Sequence, residues 1–143
     1  VKKLKKKNMN KEFLSYDQSV KLKELGFDEP CLKYWNGIGE HFDQKDWVNW
    51  NQAKKFVSIP LYQQVFRWFQ DRYNLEGTVQ QADDFNWYKW NIARMPSTPY
   101  PYTRVNNKQY IAFNALIPTR TEAEIDCIDN LIKIVKKIED GKV

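Results

Sequence analysis

Apolar positions recur along this chain with two periods, and the change between them marks out the elements. Leu61, Tyr62, Val65, Trp68, Phe69 and Tyr73 return at three- and four-residue spacing, which predicts an amphipathic helix over 61–73. Phe66 broadens its apolar face. Pro60 suits the start, since its missing amide would have no partner in a first helical turn, and Asn74 is placed to cap the end. Ile125, Ile128, Leu131, Ile132, Val135 and Ile138 form a second stripe, within a helix predicted over 121–139. Thr119 with Glu122, or Thr121 with Glu124, supplies a capping box. Lys133, Lys136 and Lys137 complement the negative end of its dipole.

A first helix is expected from Tyr16 to Leu25, with Ser15 and Gln18 at capping-box spacing. Tyr16, Val20 and Leu25 would line its apolar side, and Gly26 would end it in a left-handed conformation. Period-two stretches predict strands. Cys31–Trp35 and Glu40–Phe42 flank Asn36-Gly37-Ile38-Gly39, a reversal signal in which Asn-Gly accepts positive φ at both central positions. Phe85–Ala93 and Gln109–Leu116 form a second set. In the former, Asn86, Tyr88, Trp90 and Ile92 make the more continuous apolar face. In the latter, Tyr110 and Ala112 alternate against Ile111 and Phe113. Asp43–Lys55 reads as an irregular connection anchored by Trp47 and Trp50, and the three prolines of Met95–Tyr102 exclude regular structure there. The expected fold class is α+β: a small, mostly antiparallel sheet packed against about three helices, in the order α-β-β-α-β-β-α.

Charge divides the 143 residues unevenly. Lys2, Lys3, Lys5, Lys6 and Lys7 crowd residues 1–8, a basic tail set apart from a single α+β domain over 9–143. Without those five, 18 of the 23 Lys and Arg remain against 18 Asp and Glu, so the body is neutral. The tail is suited to phosphate or acidic headgroups. Met9 offers a second start, which makes the tail dispensable in one reading and an electrostatic anchor in another. No apolar run reaches the roughly 20 residues of a membrane span, and no leader of secretory type opens the sequence. With two cysteines, Cys31 and Cys127, both expected reduced and buried, this points to a cytoplasmic location.

Catalytic and metal chemistry find little to work with. His41 is the single histidine, with Asp43 close by and Cys31 on the same predicted hairpin, but no nucleophile motif surrounds Cys31. One histidine and two distant cysteines do not make a zinc site, and Asp83-Asp84 reads as a solvated turn before a cation site. The glycines build no phosphate loop. No catalytic residue, metal or cofactor is assigned, and no enzyme activity is expected.

Six tryptophans and eight tyrosines exceed what a core of this size needs. Trp87, Trp90, Tyr100 and Tyr102 are the candidate contact residues for a protein partner, the last two on the stiff Pro99–Tyr102 tip. The alternative is a nucleic-acid partner. It would use Lys2, Lys3, Lys5, Lys6 and Lys7 as anchor and Lys89 and Arg94 beside stacking aromatics. The plainest reading is that the aromatics pack between sheet and helices.

Three blocks carry a resemblance. Met9–Phe13 with Leu22–Cys31, Phe66–Phe69 with Tyr73–Leu75, and Thr121–Glu124 with Cys127 and Leu131–Lys136 are similar to a family of small proteins encoded by bacteriophages, prophages and their hosts. Residues 40–60 and 94–108 depart from the family pattern. The family has no established function, so the resemblance implies a context and no site: an accessory protein of a mobile element, acting by binding a host or immunity-complex protein in the host cytoplasm. An anti-defence role, of the anti-CRISPR kind among others, belongs to that expectation.

Overall fold

The structure is a computed structural model that describes residues 12–83, 86–95 and 109–141. Among these residues it is an α+β fold of three α-helices and two three-stranded antiparallel sheets. The elements are α1 (Tyr16–Glu24), β1 (Lys33–Trp35), β2 (Glu40–Phe42), β3 (Val57–Ile59), α2 (Tyr62–Tyr73), β4 (Leu75–Gln81), β5 (Tyr88–Arg94), β6 (Gln109–Ile117) and α3 (Arg120–Glu139). The expected elements occur in the expected order, and β3 and β4 join them. The chain divides into two compact units, with the boundary inside α2 between Val65 and Phe66.

In the first unit, Ser15 caps α1 by accepting from the Gln18 amide, and Gly26 follows the helix at φ 90°. The buried face of α1 is Gln18, Ser19 and Leu22, continued by Leu25. The expected face is therefore rotated. Tyr16 is exposed at the first turn and lies against Trp35, ring centroids 4.9 Å apart, and Val20 is only half-buried. Ser19 tolerates burial because its hydroxyl donates to the Ser15 carbonyl at 2.7 Å. The sheet has the order β2-β1-β3. Asn36 does not take the left-handed position expected of it. It opens the reversal, its Oδ1 accepting from the Ile38 and Gly39 amides while Gly37 alone has positive φ (99°). Cys31 lies before β1 and bridges Val48.

The irregular connection after β2 is fastened by side chains. Trp50 stacks on Tyr34 at 3.8 Å and 20° and donates its indole N–H to the Cys31 carbonyl. Trp47, the other expected anchor, is instead 53% exposed. Asn51 donates to the Phe27 carbonyl and accepts from the Ser58 amide, which ties the connection to the edge of β3. Lys23 reaches across from α1. Its Nζ donates to the carbonyls of Ala53 (2.8 Å), Lys54 (3.3 Å) and Phe56 (2.6 Å).

The second unit is a sheet of order β4-β5-β6 with helix on one face. α3 lies mainly over β4 and β5, and only its flank reaches β6. Thr119 caps α3 by accepting from the Glu122 amide. Its buried residues are Ala123, Cys127, Ile128, Leu131, Ile132 and Val135. Ile125 and Ile138 of the expected stripe are half-buried. Gly77 on β4 is what permits the close approach of helices to the sheet. A Cβ there would meet Phe66 of α2 at 3.0 Å and the Cys127 sulfur at 3.1 Å. Asn74, at φ 55°, ends α2 in the left-handed region and turns directly into β4.

Candidate functional site

Cross-strand partners in an antiparallel sheet share a face, so register assigns the side chains of the second sheet. Gly77–Ile92–Ala112 and Val79–Trp90–Asn114 lie on the helix-facing side, and Thr78–Asn91–Phe113 and Glu76–Ala93–Tyr110 on the outer side. Tyr110 and Phe113 are three residues apart and would fall on opposite faces of a regular strand. They share one because their partners Ala93 and Asn91 are two apart: a bulge in β6 absorbs the extra residue. The alternation of Tyr110 against Phe113 expected from the sequence is corrected by that bulge.

A second bulge lies between Asn114 and Ile117, where Leu116 has φ 65°. Leucine in the left-handed region is strained by its own Cβ. Tyr110 is 65% exposed, Phe113 76% and Leu116 66%. β6 is also an edge, paired only to β5 among the described strands. The result is an exposed strand with two bulges and three large apolar side chains. Sequence reading missed all three residues, since a bulge leaves no periodic signal.

The residues expected to make contacts fall elsewhere. Trp90 is 3% exposed and faces α3, donating its indole N–H to Asp126 Oδ2 at 2.7 Å. It belongs to the core and leaves the candidate surface, because its partner and its burial are both on the helix side. Trp87 is half-buried just before β5, where its carbonyl accepts from the Ala82 amide and closes the β4–β5 hairpin. Tyr100 and Tyr102 lie outside the described residues, as do Lys2, Lys3, Lys5, Lys6 and Lys7. Lys89 and Arg94 are five positions apart on β5 and so point to opposite faces. Lys89 is half-buried on the outer side opposite Gln80, whereas Arg94 is exposed on the helix side. The two do not form one basic platform beside stacked aromatics.

Much of the aromatic excess in the first unit is spent on ring-to-ring packing. Tyr34 contacts His41 (5.6 Å), Trp50 (3.8 Å) and Phe56 (5.9 Å), and Phe13 meets Phe42 edge-on at 5.9 Å. Lys33 sits 5.3 Å from the Phe13 ring centroid and pairs with Glu40 at 2.9 Å. Cys31 is sealed in this core at 0% exposure, and burial pushes its thiol up to about 12. His41 stands on the exposed strand β2. A thiol held protonated is a poor nucleophile, and in the sheet register His41 pairs with Tyr34, three residues beyond Cys31. Burial likewise raises the pKa of Cys127, with the charges of Asp126 and Glu124 adding to it. Asp84 lies outside the described residues; among those described, no three His, Cys, Asp or Glu side chains cluster to hold a metal ion. No described helix is long and apolar enough to cross a membrane.

No protein-family model, curated protein or solved structure matches this chain.

Proposed function

We propose that this chain is a binding protein that takes a protein partner on β6, with Tyr110, Phe113 and Leu116 as the contact residues. The observation that carries the reading is Leu116: a leucine kept at φ 65° while 66% of it faces solvent. Backbone strain of this kind costs on the order of 1–3 kcal/mol. An exposed side chain returns nothing to the fold for that cost, so its return lies in a contact. Two exposed aromatics on the same strand fit the anchor residues that dominate protein interfaces. The resemblance of the Leu22–Cys31, Phe66–Phe69 and Leu131–Lys136 blocks to small phage and prophage proteins supports a host or immunity-complex protein as the partner, in an anti-defence role in the host cytoplasm.

The test is capture from nuclease-treated bacterial lysate on the full chain and on a Tyr110→Ala/Phe113→Ala variant. A stoichiometric protein held by the first and reduced at least tenfold on the second, with an unchanged unfolding midpoint, is the expected result. Equal capture by both chains would remove β6 from the interface. Recovery of nucleic acid alone, lost when residues 1–8 are deleted, would replace the reading with the nucleic-acid alternative.

A further inference from the structure

Because α3 covers β4 and β5 and leaves β6 largely open, a groove of about 470 Å³ runs between the helix-facing side of β6 and the C-terminal half of α3. Three cations line it: Arg94 from the end of β5, and Lys133 and Lys137 from α3. The two lysines are one helical turn apart and therefore neighbours, a like-charge arrangement that disfavours the empty groove. Among the described residues, no carboxylate lines the groove and none of the three cations has an ion-pair partner. Gln109, directly across the register from Arg94, and Asn130, one turn before Lys133, add amide groups. Ile111 and Ile134 supply an apolar floor.

We propose that this groove is a binding site for a phosphate-bearing small molecule of nucleotide size. The chemistry divides along the groove. Arg94 presents a planar fork matched to two phosphate oxygens, and the lysines are point charges that follow the rest of a dianion. Apolar and amide groups beside them suit a flat, partly polar body, and the volume lies within the range of small-molecule pockets. Inorganic phosphate alone would satisfy the cations and leave the floor uncovered. The site is separate from the outer face of β6 and stands or falls independently of the partner proposed there.

Calorimetric titration of the full chain at low salt with inorganic phosphate, adenosine 5′-monophosphate and adenosine tests the assignment. The variants Arg94→Gln and Lys133→Gln/Lys137→Gln, both on exposed side chains, separate the groove from the lysine tail that all chains share. The expected order is monophosphate tighter than phosphate, adenosine unbound, and at least a tenfold loss of monophosphate affinity in each variant at an unchanged unfolding midpoint. Equal affinity for phosphate and monophosphate would overturn a nucleotide-sized ligand. Binding that neither variant weakens, or no binding at all, would overturn the site. A short single-stranded oligonucleotide bound far more tightly than the monophosphate, and weakened by the same variants, would overturn the small-molecule assignment in favour of a nucleic acid.

Discussion

The indole N–H of Trp90 donates to Asp126 Oδ2 at 2.7 Å, and the same oxygen accepts from Asn114 Nδ2 at 3.1 Å. One carboxylate on α3 thus holds neighbouring strands β5 and β6 to the helix. Replacing it leaves a buried indole donor without an acceptor, which costs about 1–3 kcal/mol. Asp126→Ala is expected to lose about 2 kcal/mol in urea unfolding, and Asp126→Asn less, since its amide oxygen still accepts one bond. Equal stability of Asp126→Ala and wild type would mean that the bond is replaced by solvent.

Gly77 faces the opposite constraint. A Cβ there meets the Phe66 ring and the Cys127 sulfur at 3.0–3.1 Å, tighter than nine in ten real Cβ contacts, so ring or sulfur must give way by a few tenths of an ångström. Gly77→Ala is therefore expected to destabilise by about 1–3 kcal/mol through overpacking, despite the general advantage of alanine over glycine in a strand. Chemical denaturation gives the sign directly, and a stabilised variant would show that Phe66 swings aside.

Leu116 should separate stability from binding. Glycine removes the clash of Cβ in the left-handed region, so Leu116→Gly is expected to raise stability by about 1 kcal/mol. The same change removes a proposed contact side chain and should weaken capture of the partner. A variant that is both less stable and fully competent in binding would contradict both expectations.

The thiols contribute to the alkaline limb of stability. Cys31 is raised from 9.0 to about 12 in the fold, and Cys127 is raised in the same direction. Above pH 9 the unfolded chain sheds thiol protons that the folded chain keeps. The folded state then binds more protons, so stability falls as pH increases. The contribution is complete below pH 9 and is lost progressively as pH rises toward 12. A Cys31→Ala/Cys127→Ala variant, compared with wild type between pH 8 and 11, should show a shallower decline. In native buffer at pH 8 both thiols should resist iodoacetamide and react only on unfolding.

The helices were legible because their signals are local: Ser15 and Thr119 at caps, Gly26 and Asn74 at ends, and the repeat from Tyr62 to Phe69 all act within a few residues. β3 was not, since Val57-Ser58-Ile59 is too short to display a period. β4 reads as polar, with a glycine at its third position whose purpose appears only when Phe66 and Cys127 stand over it. The face of α1 departs from the apolar pattern because two polar residues, Gln18 and Ser19, are buried on it, Ser19 by donating its hydroxyl to the Ser15 carbonyl. Trp90 and Phe113 depart from the sequence pattern for related reasons. An indole is readily buried when a distant carboxylate accepts from it, and a bulge moves a phenylalanine out of step with its neighbours.

Lys23 gives the first unit a cation it never has to collect from solution. Three converging carbonyl oxygens at Ala53, Lys54 and Phe56 form the kind of cup that elsewhere holds a metal ion, and an ammonium group tethered some thirty residues away fills it. The path of residues 53–56 is consequently written partly in α1, while Trp50 and Asn51 fasten the rest of the connection from within. Sequence changes at 53–55 that keep the backbone path should pass unnoticed, because only main-chain oxygens are read. Neutralising one distant side chain, as acetylation does, would set three carbonyl dipoles against one another and release the loop.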